Sequence, residues 1–190
     1  MIDFPNILEV ARISNATLYF EDESGISLNI FSGKTWSKRG KTPIVYRSGQ
    51  RVKRTMASAI SIDGELFYET YVGGTNGDRY IEFLKHLTEK DSKNKIVIHD
   101  GLPSHRALKV KEYVESTNGK LKIYQLPGYS PELNPDELVW SNLKKELGKK
   151  AYKNIDDLGK EAEIIMDNLK SNKNILVKYC TKIYGKSLAI

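Results

Sequence analysis

"KIVIHDGLPSHRALKVKEYVESTNGKLKIYQLP", residues 95–127, decides the fold. The run "KIVIHD" is short, apolar and β-branched, ends on Asp100, and is closed by a Gly-Leu-Pro turn, which is the pattern of a buried strand. "SHRALKVKEYVEST" follows as a helix and "KLKIYQLP" as a further strand. Two strands joined by a helix pair in parallel, with the helix lying on the sheet. The class is therefore α/β.

Upstream, "NATLYFEDESGISLNI" (residues 15–30) alternates with period 2, placing Leu18, Phe20 and Asp22 on one side and Tyr19, Glu21 and Glu23 on the other. That is a strand carrying an acid on its apolar face. "MASAISIDGELFYETYVGG" adds two β-rich runs about Asp63-Gly64, a dipeptide suited to a two-residue hairpin turn, so the first three strands form an antiparallel meander. "TNGDRYIEFLKHLTEK" spaces Tyr80, Ile81, Leu84 and Leu87 as a helix does, and "NIDDLGKEAEIIMDNLK" does the same with Ile155, Leu158, Ile165, Met166 and Leu169. The end, "NILVKYCTKIYGKSLAI", fits either element. Residues 1–16 read as a lead-in, 17–172 as one domain and 173–190 as a C-terminal tail.

The chain has 190 residues, enough for one sizeable core, with 30 Lys+Arg against 24 Asp+Glu. A basic balance suits an anionic partner such as nucleic acid without requiring one. Cys180 is the single cysteine, which excludes an internal disulfide or multi-cysteine zinc site and fits a reducing cytoplasm. No run approaches the roughly 20 apolar residues of a membrane span. Residues 33–54 hold eight basic residues and no acid among glycines and a proline. They read as a loop or hairpin outside the core, either simply solvated or placed against phosphate.

Three acids exceed what the folding pattern needs. Asp22 occupies an apolar position of a strand, where burial of an unpaired carboxylate is costly, unless it turns out at the strand end. Asp100 ends a buried strand, where open α/β sheets collect ligand sites, although it also suits the start of a turn or helix. In "YSPELNPDELVW" (residues 129–140), Asn134, Pro135 and Glu137 have the spacing of an N-cap, first-turn proline and capping box. A helical wheel sets Asp136, with Val139, Leu143 and Leu147, on the inner side, and Glu137 toward Trp140, Ser141 and Lys144. Periodicity thus favours Asp136 as the inward acid. Carboxylates distant in sequence that converge on one sheet edge suit hard divalent cations and metal-assisted phosphodiester cleavage.

"YFEDESGI", "VIHDGLPSHRA" and "LPGYSPELNPDELVWSNLKKEL", in that order, resemble the D-D-E catalytic domain of mariner-superfamily transposases, in their bacterial insertion-sequence branch. "TWSKRGKTP" and "ISIDGELFYE" match the intervening segments, and the similarity covers about Leu18 to Leu169. The resemblance implies a ribonuclease H-like fold, a mixed five-stranded sheet flanked by helices, with Asp22, Asp100 and Glu137 holding two Mg²⁺ or Mn²⁺ ions. It is the resemblance, not periodicity, that prefers Glu137 to Asp136. It further implies cleavage and strand transfer on double-stranded DNA, at transposon ends and then at TA target sites, without a covalent protein-DNA intermediate. A homodimer on DNA, a separately encoded helix-turn-helix half and a cytoplasmic, nucleoid-associated location complete that expectation. Lys38, Arg39, Lys41 and Arg54 are the expected phosphate contacts. His105 matches a family histidine that either orients Asp100 or contacts DNA. Two positions depart from the family pattern: Gly101 stands where asparagine is usual, and 36 residues separate Asp100 from Glu137. Two other functions fit the residues: a ribonuclease H-like nuclease for another nucleic acid structure, and a non-catalytic DNA-binding remnant of a transposase. Trp36 and Trp140 are expected to pack.

Overall fold

The computed structural model describes residues 3–28, 38–41 and 53–188. Trp36 and most of the basic segment lie outside the described residues.

The elements run α1 (Phe4–Ile13), β1 (Ala16–Ser27), β2 (Lys53–Ser61), β3 (Leu66–Val72), α2 (Gly77–Glu89), β4 (Asn94–His99), α3 (Leu108–Ser116), β5 (Leu121–Gln125), α4 (Asp136–Leu147), α5 (Ile155–Lys170) and α6 (Lys173–Leu188). The strands form one sheet in the order β3-β2-β1-β4-β5. The β1/β2 and β2/β3 pairs are antiparallel, while β1/β4 and β4/β5 are parallel. The meander β1-β2-β3 and the β4-α3-β5 unit expected from the sequence therefore meet where β1, the central strand, pairs with β4.

Each face of the sheet buries its own core. Leu18 and Phe20 pack with α1, α4, α5 and α6 through Phe4, Ile7, Val139, Trp140, Leu158, Met166 and Leu176. Tyr19 packs on the other side with Phe83, Leu84 and Leu87 of α2 and Val110 of α3. The period-2 alternation of β1 is what sends neighbouring residues to opposite layers. Trp140 is buried among the first set, as expected of a packing residue.

Three local expectations change. The hairpin loop is one residue longer than two, because the Ser61 N–H donates to the Glu65 carbonyl at 2.8 Å and Gly64 takes φ +79°. A glycine in the left-handed region is what a three-residue loop of this kind requires. The helix after Asp100 begins at Leu108 rather than Ser104, since residues 102–106 close a turn first, with the His105 N–H donating to the Leu102 carbonyl at 2.9 Å. Finally, neither α1 nor α6 is a mere appendage of the domain. The ring of Tyr184 in α6 stacks on Phe4 at 4.0 Å and on Phe20 at 4.9 Å, tying both terminal helices to β1.

Candidate active site

Sheet register explains why Asp22 and Asp100 meet. In the parallel β1/β4 pair Phe20 lies opposite Ile98, so two residues further along each strand Asp22 comes level with Asp100. Both then stand at the carboxyl edge of the two central strands, where ligand sites form in sheets of this kind.

Glu137 arrives from the opposite direction, on the first turn of α4. Asn134 fixes that arrival. Its side-chain Nδ2 donates to the Glu21 carbonyl at 3.0 Å, and its Oδ1 accepts the Asp136 N–H at 3.1 Å, so one buried amide joins β1 to the helix start. Asp136 adds a second tie, accepting the Ser58 hydroxyl of β2 at 2.6 Å on Oδ2. Ser58 is paired directly opposite Asp22 in the β1/β2 ladder. The wheel was right that Asp136 points inward, and that is why it is absent from the cleft: it is fully buried beneath it. Glu137 is exposed and lines a cleft of about 530 Å³ together with Asp22 and Asp100. The capping box read from the sequence does not form, because the Asn134 N–H donates to the Pro131 carbonyl at 2.9 Å.

The electrostatics follow from this crowding. Burial pushes the Asp22 carboxyl up to about 7, with the charges of Glu137 and Asp100 adding to the effect and a backbone hydrogen bond from Glu23 opposing it. Burial also acts to raise Asp100, but hydrogen bonds from His105 and the Leu102 N–H outweigh it and hold that carboxyl below its ordinary value. Burial drives Asp136 well up, against the Ser58 hydrogen bond.

The sign for stability follows. Asp22 titrates near 7 when folded and near ~3.9 when unfolded, so between those values the folded chain holds more protons. Its contribution to stability is present at low pH and is lost as pH rises through this window. In chelator, the urea midpoint should therefore fall less between about pH 5 and about pH 8 for Asp22→Asn than for the wild type. Parallel curves for the two proteins would contradict the assignment.

Three carboxylates share one cleft, and those of Asp100 and Glu137 raise the cost of ionising Asp22; oxygen donors of this kind suit a hard divalent cation. Two tighter groups of possible ligands, His99–Asp100–His105 and Glu21–Glu23–His105, have ligand atoms within 4.8 Å of one another. Both depend on His105. Although burial opposes it, the neighbouring carboxylates of Asp100, Glu23 and Glu21 raise His105 to about 10.

His105 corrects an expectation. Its side chain is fully buried, with Nδ1 at 3.2 Å from Asp100 Oδ1, so it does not face DNA. Arg54 is also drawn inward: its guanidinium pairs with Asp156 at 2.6 Å and lies against Gly159 of α5. Lys38, Arg39 and Lys41 are exposed around a turn closed by the Lys41 N–H and the Lys38 carbonyl at 2.9 Å. Sequence reasoning missed Arg106, an exposed cation that lines the cleft beside the acids, and Gln125, which also lines it. The glycine at 101 now has a reason. It takes φ +79°, and a Cβ there would fall 2.2 Å from the Gln125 amide nitrogen, so Gln125 occupies the room that a larger residue would need.

The chain is similar to known proteins. The insertion element IS630 uncharacterized 39 kDa protein of Shigella sonnei is 30% identical over 131 residues, which are 66% of this chain and 37% of that protein. The chain thus spans little more than a third of that relative. The Mos1 strand transfer complex superposes with a TM-score of 0.71 at 18% identity, covering 97% of this chain and 58% of that one. The catalytic domain of Mos1 mariner transposase gives 0.60 at 18% identity, covering 96% and 89%. Related Mos1 paired-end complexes were solved with Mn and with Mg. The fold is therefore ribonuclease H-like, with the mixed five-stranded sheet flanked by helices. The sequence profile of the DDE superfamily endonucleases matches residues 17–159, from the second residue of β1 into α5 and across all three cleft acids, and the chain belongs to that family.

Proposed function

We propose that this domain cleaves phosphodiester bonds of double-stranded DNA at transposon ends and joins the released 3′-hydroxyl to target DNA. The observation that carries the reading is the convergence of Asp22, Asp100 and Glu137 in one cleft with Arg106 also lining it. The three carboxylates would hold Mg²⁺ or Mn²⁺, two ions together. Bound there, divalent ions supply Lewis acidity to the attacking and leaving oxygens of an in-line displacement.

The chain's own residues do the rest. Asn134 and Ser58 keep the helix bearing Glu137 against the strand bearing Asp22. Arg106 approaches the scissile phosphate, and Lys38, Arg39 and Lys41 hold more distant phosphates, so that affinity depends steeply on salt. Arg54 serves as an internal strut between β2 and α5 rather than as a phosphate contact. Hydrolysis uses water as nucleophile, joining uses a DNA 3′-hydroxyl, and no side chain bonds covalently to DNA. Partners are transposon-end and target DNA and a second copy of the chain, with the ends recognised by a helix-turn-helix unit. Among the described residues no helix is long and apolar enough to cross a membrane, and we assign the protein to the cytoplasm with the DNA.

The test pairs calorimetry with a plasmid assay. The expected results are Mn²⁺ binding, Mn²⁺-dependent nicking of supercoiled plasmid and joining of a 3′-hydroxyl oligonucleotide to it. Absence of Mn²⁺ binding would identify a non-catalytic remnant. Cleavage of RNA-DNA hybrids or branched DNA without joining would identify a nuclease of another specificity.

A further inference from the structure

Behind the cleft, on the far side of the sheet, lies a buried group of side chains that the reaction as described does not use: Glu21, Glu23, Tyr80, His99 and His105. Glu21 is fully buried and neither of its carboxylate oxygens has a hydrogen-bond partner. So much desolvated polarity is costly, and it persists only where something compensates it.

His105 is the compensating group. Its Nδ1 lies 3.2 Å from Asp100 Oδ1, and its Nε2 lies 3.5 Å from Glu23 Oε1. The ring thus lies between two carboxylates, one facing each of its nitrogens. The ring plane is fixed as well, stacked on Tyr80 at 3.9 Å and met edge-on by His99 at 5.1 Å.

Asp100 needs such a holder. It sits one residue beyond β4, next to Gly101 at φ +79°, and its local tether is the Leu102 N–H at 3.0 Å from Oδ1. A carboxylate at a strand end before a glycine turn otherwise keeps its side-chain rotations. Glu23, meanwhile, adjoins Asp22 on β1 but faces the opposite side of the sheet. The path Asp22, Glu23, His105, Asp100 therefore crosses through the sheet and connects the two acids from behind.

We infer that Glu23 and His105 form a clamp that positions Asp100 relative to Asp22, engaging Asp100 through Oδ1 and leaving Oδ2 to face the cleft. The inference rests on the proposed metal-dependent reaction and adds to it two positioning residues that touch neither metal nor DNA. Outer partners of metal-binding carboxylates typically govern affinity by about 10- to 100-fold.

The test is Mn²⁺ calorimetry on the full chain, with thermal melting in chelator as a control for folding. His105→Ala should weaken Mn²⁺ binding by about 10- to 100-fold and lower nicking at subsaturating Mn²⁺, with the KM for DNA unchanged. His105→Asn, whose amide can donate near the Nδ1 position, should recover much of that affinity, and His105→Gln should not. Glu23→Gln gives an independent variant should His105→Ala melt too low, and it should weaken Mn²⁺ binding in the same direction. A merely structural role would lower the melting temperature of these variants and leave the Mn²⁺ affinity of the folded fraction unchanged. Wild-type affinity in both His105→Ala and Glu23→Gln, while Asp22→Asn abolishes binding, overturns the clamp alone. No Mn²⁺ binding by the wild type overturns the functional reading and the clamp with it.

Discussion

Asp22→Asn, Asp100→Asn and Glu137→Gln should each lower Mn²⁺-dependent plasmid nicking by at least about 1,000-fold, a loss of roughly 4 kcal/mol of transition-state stabilisation, while the chain stays folded. Each substitution keeps the side-chain volume and removes a formal charge from a cleft in which the acids already repel one another. Asp22→Asn should therefore also stabilise the metal-free protein at neutral pH, by on the order of 1 kcal/mol. An inactive variant that melts higher than the wild type cannot be dismissed as misfolded. Asp136→Asn supplies the contrast, since an amide oxygen can still accept the Ser58 hydroxyl and the buried residue lies outside the cleft. It should retain activity within about tenfold. The reverse ranking, with Asp136→Asn inert and Glu137→Gln active, would transfer the third position to Asp136.

Ending the chain after Asn172 should abolish the cooperative fold. Leu176, Cys180 and Tyr184 of α6 are buried, and the Tyr184 hydroxyl donates to the Leu133 carbonyl at 2.7 Å, just ahead of the α4 start. Truncating one large buried aromatic side chain costs about 3–5 kcal/mol, against a total stability of about 5–15 kcal/mol for a typical domain. Tyr184→Ala should thus lose about 3 kcal/mol in urea unfolding, and removal of the helix should exceed what the domain can lose. Circular dichroism and urea titration of the shortened chain check this. A sharp transition close to that of the full chain would show that α6 is dispensable.

The elements with one clear period were legible in the sequence. β1 alternates by two, α2 and α5 repeat at helical spacing, and the β4-α3-β5 unit is punctuated by its turns. α6 was not legible, because it is built from Ile, Val, Tyr, Cys and Thr, residues that also favour strands. Its helical state comes from packing against β2, α4 and α5, which is non-local information. Asp22 and Asp100 could be read as unneeded acids at strand positions. The choice between Asp136 and Glu137 could not, because a helical wheel tells inward from outward and the cleft opens at a helix end, where the outward residue is the one that reaches it. His105 was misplaced for a related reason. A histidine in a Ser-His-Arg turn looks superficial until the fold puts Tyr80 and Glu23 around it.

The contact between Phe4 and Tyr184 joins the first described helix to the last, across nearly the whole length of the chain. Contacts of such separation form late, after the loops they close have been ordered. During synthesis, β1 and its acid are made before α6 and wait for it before their apolar side is fully covered. A ribosome-bound or prematurely ended chain therefore carries all three carboxylates without the frame that brings them together. On the proposed function, the cleft acids are therefore not assembled for DNA cleavage until α6 has been made.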